Sequence, residues 1–290
     1  MITVTAAPPF ATIQDLGRFG YRDSGVPVSG LADRDGGAAL NAILGNEPDA
    51  AMIEWAVAGG TLRFESDCVF AIGGADAGCT VDGERVQSWN RMHARAGTEL
   101  VVERITRGRF LMIAVRGGID VPVVMGSRST LLSASFGGHE GRRLKKGDVL
   151  PVGEGKEGET RGSTGGVPQS LDGAVHIVRG PQADLFDARA WETLLGAELA
   201  VSHASDRTGY RLQGATLSCS VPAVLPSEPT CVGAIQVPDG GEPIVIMHDG
   251  PTIGGYPKIA VIRAMSISRF AQHTPGERVK FVLDEERAHA

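Results

Sequence analysis

The segment 249–258 carries residue types that could bind a polarised oxygen atom. Tyr256 offers a hydroxyl and Lys258 a cation to a carbonyl or carboxylate. Gly254-Gly255 would let the backbone approach a ligand closely. A buried-looking strand at 243–247 would hold the segment rigidly. A turn that ends in a surface lysine would show the same pattern, so the residues alone leave both interpretations open.

A second polar block, 205–212, contains two arginines four residues apart. Arg207 and Arg211 could clamp a carboxylate or phosphate through paired N–H donors. Ordinary ion pairing within the fold explains the same arginines equally well. Similar polar, glycine-containing blocks occur at 12–30, 116–130 and 227–238.

Motifs of several familiar chemistries are missing from the sequence. No G-x-x-x-x-G-K-[ST] occurs, and Gly73–Gly78 leads into another strand pattern rather than a helix, so it is interpreted as a hairpin turn. The histidines are scattered without H-E-x-x-H or paired cysteines, so no metal site is expected. His139-Glu140 fits an exposed loop pair better than a substrate contact. Gly162–Gly166 lacks the rigid, water-excluded setting of an amidase serine.

Charge and hydropathy exclude further classes of protein. The net charge of -6 argues against nucleic-acid binding. The longest apolar run, 110–115, is too short to span a bilayer, and the N-terminus resembles a strand rather than a targeting signal. The four cysteines form no C-x-x-C pair and are interpreted as reduced thiols of a cytoplasmic protein.

The elements that would position these residues are mainly β-strands. The 40 glycines favour many turns over long helices. Strand patterns occur at 61–64, 68–72, 174–178, 243–247, 259–262 and 279–283, and a β-hairpin is predicted from 100–105 and 110–115. Two segments, 33–44 and 183–195, have helical spacing and end at a glycine.

One segment, 151–172, is rich in glycine and polar residues and poor in aliphatic ones. Such a composition buries too little apolar area to order itself, so a linker or long loop is predicted there. The resulting expectation is an N-terminal β-rich lobe at 1–150 and a C-terminal β-barrel lobe at 173–290.

Several of these blocks together resemble a known family. They are TIQDLGRFGYRDSGVPVSG, RGGIDVPVVMGSRSTLL, FGGHEGRRLKKGD, VRGPQADLF, SDRTGYRLQG and SEPTCVGAIQVPDGGEPIVIMHDGPTIGGYPKIAVI. In this order they are similar to the biotin-dependent carboxyltransferase subdomain A and B family, also called allophanate hydrolase subunit 2. That family includes a kinase-inhibitor antagonist and the C subunit of bacterial 5-oxoprolinase. The resemblance covers nearly the whole chain.

This resemblance implies a mainly β fold with two barrel-like lobes of cyclophilin-like type and a few short helices. It implies a separate partner equivalent to subdomains C and D, of the same kind as the kinase inhibitor or the 5-oxoprolinase B subunit. It also allows for an A-type subunit. No A-M-K-M motif is present, so covalent biotin on this chain is not expected.

The function expected from the resemblance is that of a 5-oxoprolinase-type complex, which opens 5-oxo-L-proline to L-glutamate with ATP. The complex, not necessarily this chain, would bind ATP. Phosphorylation of the lactam oxygen makes it a leaving group, and such a site needs cations and oxyanion donors. Alternatives are a regulatory module that holds its partner and a carboxyltransferase or allophanate hydrolase-type subunit that acts on urea-like substrates.

The chemistry of the blocks suggests two sets of site residues. The candidate catalytic residues are Lys258, Tyr256, Arg207, Asp206 and Glu228. The candidate substrate-binding residues are Arg211, Tyr210, Gln236, Asp249, Thr252, Gly254, Gly255, Asp15 and Arg18.

Overall fold

A computed structural model describes residues 1–57, 59–155, 173–196, 199–220 and 225–284. The chain divides into two compact units, each with its own set of internal contacts. Unit 1 comprises Met1–Phe19 and Val28–Gln169, and unit 2 comprises Gly20–Pro27 and Ser170–Ala290. The short N-terminal segment in unit 2 was not anticipated from the sequence. Most of the predicted linker lies outside the described residues.

Unit 1 contains a branched antiparallel sheet and one helix, α1 (Arg34–Leu44). Its strands are β1 (Ile2–Ala6), β2 (Phe10–Gln14), β3 (Met52–Ala56), β4 (Gly60–Phe64), β5 (Cys68–Val81), β6 (Glu84–Arg85), β7 (Met92–Ala94), β8 (Glu99–Val115) and β9 (Val149–Leu150). The main path runs β2-β3-β8-β4-β1-β9, and β5 pairs with β6, β7 and β8. Alternate strand residues fill an apolar core that includes Trp55 and Phe70.

The hairpin predicted at 100–115 is wrong, because these residues form the single strand β8. The hairpin turn predicted at Gly73–Gly78 is also wrong, because these residues lie within β5. Three register shifts between β5 and β8 absorb the irregular sequence without reversing the chain. A Cβ at Gly73 would lie 2.8 Å from the ring of Trp89, so close approach explains that glycine.

The helix predicted at 33–44 is confirmed with both of its end signals. The Asp33 side chain accepts a hydrogen bond from the Gly36 N–H at 2.9 Å and caps the first turn. Gly45 ends the helix in a left-handed conformation with φ of 73°. Leu40 and Leu44 are buried on the face that packs against β5 and β8.

Unit 2 contains a second antiparallel sheet, with one parallel strand pair, and two helices, α2 (Ala188–Gly196) and α3 (Ala264–Ala271). Its strands are β10 (Val175–Arg179), β11 (Leu199–Val201), β12 (Gly209–Gln213), β13 (Glu228–Pro229), β14 (Ala234–Gln236), β15 (Ile244–Ile246), β16 (Ile253–Gly254), β17 (Lys258–Ile262), β18 (Arg278–Val279) and β19 (Phe281–Leu283). The large sheet runs β18-β11-β12-β15-β14-β17-β10-β19, while β13 and β16 form a separate two-stranded ribbon.

The predicted helix at 183–195 is only partly continuous. Ala183–Leu185 form a 3-10 turn, and the α-helix starts at Ala188 after an extended Phe186. Helix α3 was not predicted, since its serine-rich sequence has no capping side chain at its start. Three α-helices occur among the described residues, and none of them is long and apolar enough to cross a membrane.

The predicted fold class is confirmed. The structure has 38% strand and 13% helix, which makes it mainly β. One large sheet forms a half-barrel and the other a nearly closed barrel. The two-stranded ribbon, together with strands and loops of both units, carries the polar residues considered next.

Candidate functional site

Lys258 is a buried lysine at the first position of β17. Only 3% of the residue is exposed, and its Cα is paired with that of Gln236 across β14 and β17. The Nζ atom of Lys258 lies 2.6 Å from Oε1 of Glu228. Beyond this ion pair, Nζ has no polar partner among the described residues. A buried ammonium needs several acceptors, so this arrangement leaves donor capacity for a ligand.

Gln182 holds both members of this ion pair. Its Nε2 donates to Oε1 of Glu228 at 2.6 Å, and its Oε1 accepts from the backbone N–H of Lys258 at 3.1 Å. Gln182 lies directly before the 3-10 turn at Ala183–Leu185. The amide therefore fixes the Glu228 carboxylate relative to the start of β17.

The small β13–β16 ribbon carries Glu228 opposite Gly254. A Cβ at Gly254 would lie 2.7 Å from Nε2 of Gln236 and 3.3 Å from Cγ2 of Thr230, so the glycine leaves space beside the Gln236 amide. Gln236 is 4% exposed, and its Nε2 has no hydrogen-bond partner among the described residues. Because an unpartnered buried donor costs about 1–3 kcal/mol, such a group in a native structure calls for a ligand or water.

The charges of this cluster favour an ionised Glu228. Its pKa is lowered, first because Lys258 donates to it, while burial opposes the change and Gln182 adds a second hydrogen bond. The side chain of Glu228 is 39% exposed, against 4% for Lys258. Glu228 is therefore the more accessible member of the ion pair.

Arg22 brings a second cation to the same part of unit 2. Its Nη2 donates to the carbonyl of Thr230 at 2.7 Å. Burial raises the pKa of the neighbouring Cys231 thiol, and the charges of Arg22 and Lys258 oppose that rise. Arg22, Lys258, Gln182, Gln236, Glu228, Thr230 and Gly254 are hereafter called the lysine cluster.

Arg207 and Asp249 form a buried bidentate ion pair instead of an open clamp. The Arg207 Nε donates to Oδ2 of Asp249 at 2.9 Å and Nη2 donates to Oδ1 at 3.1 Å. Their side chains are 14% and 7% exposed. Asp206 is exposed and accepts from the backbone N–H of Thr208 at 2.7 Å, which stabilises the turn before β12. These three predicted site residues therefore have structural roles that account for them.

Tyr210 lies in the core of unit 2. It is fully buried, its hydroxyl donates to the carbonyl of Ala271 at 2.6 Å, and its ring lies 5.3 Å from that of Phe270. Arg211, the next residue of β12, points to the opposite side of the sheet and is exposed. The structure does not bring Arg207 and Arg211 together on one ligand group.

Two further predicted residues lie in the loop that carries Gly254. Thr252 is 8% exposed, and its carbonyl accepts from the N–H of Thr230. Tyr256 is 40% exposed. A Cβ at Gly255 would lie 2.6 Å from the carbonyl oxygen of Leu225, so this glycine serves backbone packing.

Asp15 and Arg18 lie in unit 1, where they organise loops. The Asp15 carboxylate accepts hydrogen bonds from Gly17, Ser127, Arg128 and Ser129. The fully buried Arg18 donates to the carbonyl oxygens of Val124 and Ser129, and its guanidinium lies 4.7 Å from the ring of Phe136. These contacts bind both residues into the loops of unit 1.

The loop pair His139-Glu140 belongs to another ion-pair network in unit 1. Arg142 donates to Asp148 at 2.7 and 2.8 Å and to Glu140 at 2.7 Å, and His139 lies 3.5 Å from Asp148. Burial alone would raise the pKa of Asp148, but the hydrogen bonds from Arg142 and from the Lys145 N–H lower it overall.

Among the described ranges, no group of three or more histidine, cysteine or acidic residues is arranged to hold a metal. Sequence reasoning identified Lys258, Glu228, Gln236 and Gly254 but missed three members of the lysine cluster, Gln182, Thr230 and Arg22. Gln182 and Arg22 stand within blocks that carry the family resemblance, VRGPQADLF and GRFGYRDSG. Their position within these blocks was the sequence signal that could have identified them.

Comparisons with known proteins identify relatives of this chain. The chain is 38% identical over 283 residues to the C subunit of 5-oxoprolinase from Escherichia coli, covering 97% of this chain and 91% of that protein. It is 35% identical over 281 residues to the corresponding protein of Haemophilus influenzae, covering 97% and 90%. The crystal structure of K. lactis urea amidolyase matches with a TM-score of 0.90 and 29% identity, over 98% of this chain and 19% of that one. The family model for the carboxyltransferase domain, subdomain A and B, matches residues 24–283, and the chain belongs to that family.

Proposed function

We propose that this chain is the subunit of a 5-oxoprolinase-type complex whose lysine cluster binds the substrate. One observation supports the proposal above the others. Within the part of the chain that the structure describes, Lys258 has N–H donors left over from its ion pair with Glu228 and the Nε2 of Gln236 has no acceptor, beside the space left by Gly254. Since 5-oxo-L-proline carries a carboxylate with two accepting oxygens, it supplies the acceptors that these groups lack. The bacterial relatives, which are named as C subunits of 5-oxoprolinase, agree with this substrate.

The reaction consumes the lactam, ATP and two water molecules and yields L-glutamate, ADP and phosphate. ATP supplies the phosphoryl group that converts the lactam oxygen into a leaving group. The sequence contains no Walker-type loop, so we assign ATP to the complex and route no phosphoryl step through this chain. The role of the chain is to fix the substrate by hydrogen bonds from buried donors, whose orientation is set before the substrate arrives.

Partner subunits complete this proposal. We infer a separate protein of the C/D type, and allow for an A-type subunit, because the bacterial relatives are themselves named as subunits. All four cysteines are free thiols, which fits a cytoplasmic complex.

A carboxyltransferase that acts on a urea-like substrate is the second candidate. The match to K. lactis urea amidolyase favours it, and the same donors would suit a transferred carboxylate. The two functions differ in their need for biotin, which hydrolysis of the lactam does not use.

The test is reconstitution with the products of the neighbouring genes. We expect the purified complex to release ADP only when 5-oxo-L-proline is present, with one glutamate formed per ADP and no inhibition by avidin. ADP release that depends on urea and is abolished by avidin would replace the first candidate with the second. Stable assembly without any turnover would contradict both.

A further inference from the structure

We propose that Glu228 occupies the position of a ligand carboxylate on Lys258, so that an acidic ligand binds by displacing it. The inference rests on the proposed function for the identity of the ligand but not for the displacement itself. It assigns the lysine cluster to the carboxylate of the substrate and leaves the lactam to groups outside the cluster.

The exposures of the two ionised groups give the first argument. The Lys258 side chain is 4% exposed, whereas that of Glu228 is 39% exposed and lies 2.6 Å from it. An anion that reaches the ammonium from solvent therefore meets the Glu228 carboxylate first. The ion pair would prevent its binding unless Glu228 moves.

The second argument is that the backbone carrying Glu228 is weakly anchored. Strand β13 has two residues and pairs only with the two residues of β16, outside the large sheet. Lys258, in contrast, begins a five-residue strand that lies between β14 and β10. Moving the carboxylate breaks its ion pair with Lys258 and its hydrogen bond from Gln182, but it disturbs no strand of the large sheet.

The third argument concerns the geometry of the donors. Gln236 and Lys258 are Cα partners on neighbouring antiparallel strands, next to a register shift between Ile235 and Gln236. The unpartnered Nε2 of Gln236 faces the space beside Gly254. A ligand carboxylate has two oxygens, so it can accept from Lys258 with one and from Gln236 with the other. In its present position the Glu228 carboxylate accepts from Lys258 and Gln182 but not from Gln236.

Charge balance favours a carboxylate over a neutral carbonyl. When Glu228 leaves, the buried ammonium of Lys258 loses its counterion, and an uncompensated buried charge is costly. A ligand carboxylate replaces one negative charge by another, whereas a lactam oxygen does not. The site therefore selects for acidic ligands.

Calorimetric titration of the full-length chain tests this inference. The probes are 5-oxo-L-proline, 2-pyrrolidinone, which is the same lactam without the carboxylate, and acetate. The variants are Glu228→Gln and Glu228→Ala, with Glu192→Gln as the control, since Glu192 is an exposed residue of α2. Removal of a partly exposed competing ion pair should tighten binding of 5-oxo-L-proline and acetate about fivefold. Binding of 2-pyrrolidinone should stay weak in every variant.

The outcomes separate the displacement from the proposed function. Tighter binding of acetate in both Glu228 variants, together with a complex that does not turn over 5-oxo-L-proline, would support displacement and contradict the proposed substrate. Turnover by the complex with unchanged or weaker binding in both variants would leave the proposed function standing and overturn the displacement. Equal binding of 5-oxo-L-proline and 2-pyrrolidinone would also overturn it.

Discussion

Replacement of Arg207 by methionine should destabilise unit 2 and leave the binding of substrate to properly folded protein unchanged. The guanidinium makes two hydrogen bonds to Asp249, at 2.9 and 3.1 Å, and the two side chains are 14% and 7% exposed. The variant would leave a carboxylate buried without its counterion. Breaking a buried pair in this way costs about 3–5 kcal/mol.

The assay is urea unfolding followed by hydrogen-exchange mass spectrometry, which reports on peptides of the two units separately. Arg211→Met is the matched control, because Arg211 lies on the same strand-and-turn segment but is exposed. We expect the control to change the free energy of unfolding by less than about 0.5 kcal/mol. Arg207→Met should lower the midpoint for unit 2 peptides and leave unit 1 peptides unchanged.

A double-mutant cycle with Asp249→Asn completes the test. Since the two side chains contact each other, the double variant should lose less stability than the sum of the single variants. Wild-type stability in Arg207→Met, combined with loss of 5-oxo-L-proline binding, would refute the structural role and restore Arg207 as a ligand-binding cation.

Three further outcomes are expected. Gly254→Ala should weaken binding of 5-oxo-L-proline about tenfold, measured by calorimetry, with little change in the unfolding midpoint. The reason is that the new Cβ would lie 2.7 Å from Nε2 of Gln236. Unchanged affinity would contradict the placement of the binding site beside Gly254. Tyr210→Phe should cost about 1 kcal/mol in urea unfolding without changing affinity, because it leaves the buried carbonyl of Ala271 without its donor; a selective loss of affinity would oppose the core role. Acid should weaken unit 1 through Asp148, whose pKa is lowered in the folded state. The contribution of Asp148 to stability is therefore present above its ordinary pKa of 3.8 and is lost as the pH falls through the lowered pKa. Asp148→Asn should therefore be less stable than the wild type at neutral pH and lose less stability in acid, as measured by thermal unfolding. Melting temperatures of the variant and the wild type that change in parallel with pH would contradict this.

Local signals in the sequence predicted what depends on neighbouring residues. Helix α1 was found because Asp33 and Gly45 mark its ends within one segment. The break at 106–109 was interpreted as a hairpin because the bulged pairing of β8 with β5 depends on residues distant in sequence. Pattern reasoning sees the irregularity, but only the paired strand shows whether the chain turns back or continues.

The candidate site shows the same limit. Lys258, Gln236 and Glu228 were identified because each stands in a conspicuous polar block. Gln182 was missed because it joins the cluster only through contacts with residues 46 and 76 positions away. Arg207 and Asp249 were interpreted as site residues because the sequence cannot show that two charges satisfy each other. Burial and pairing, which decide between a structural and a ligand-binding charge, come from the fold.

The most direct test of the central claim is replacement of Lys258 by methionine in the reconstituted complex. Since Glu228 is partly exposed and can be solvated when its partner is lost, the variant should fold and assemble with its partners. Lys280→Met, at an exposed position in the same unit, is the control. We predict that 5-oxo-L-proline-dependent ADP release falls at least about a hundredfold, the loss typical of removing one preorganised donor, while the control keeps wild-type activity. Wild-type ADP release by the assembled Lys258→Met complex would contradict the claim that this lysine binds the substrate.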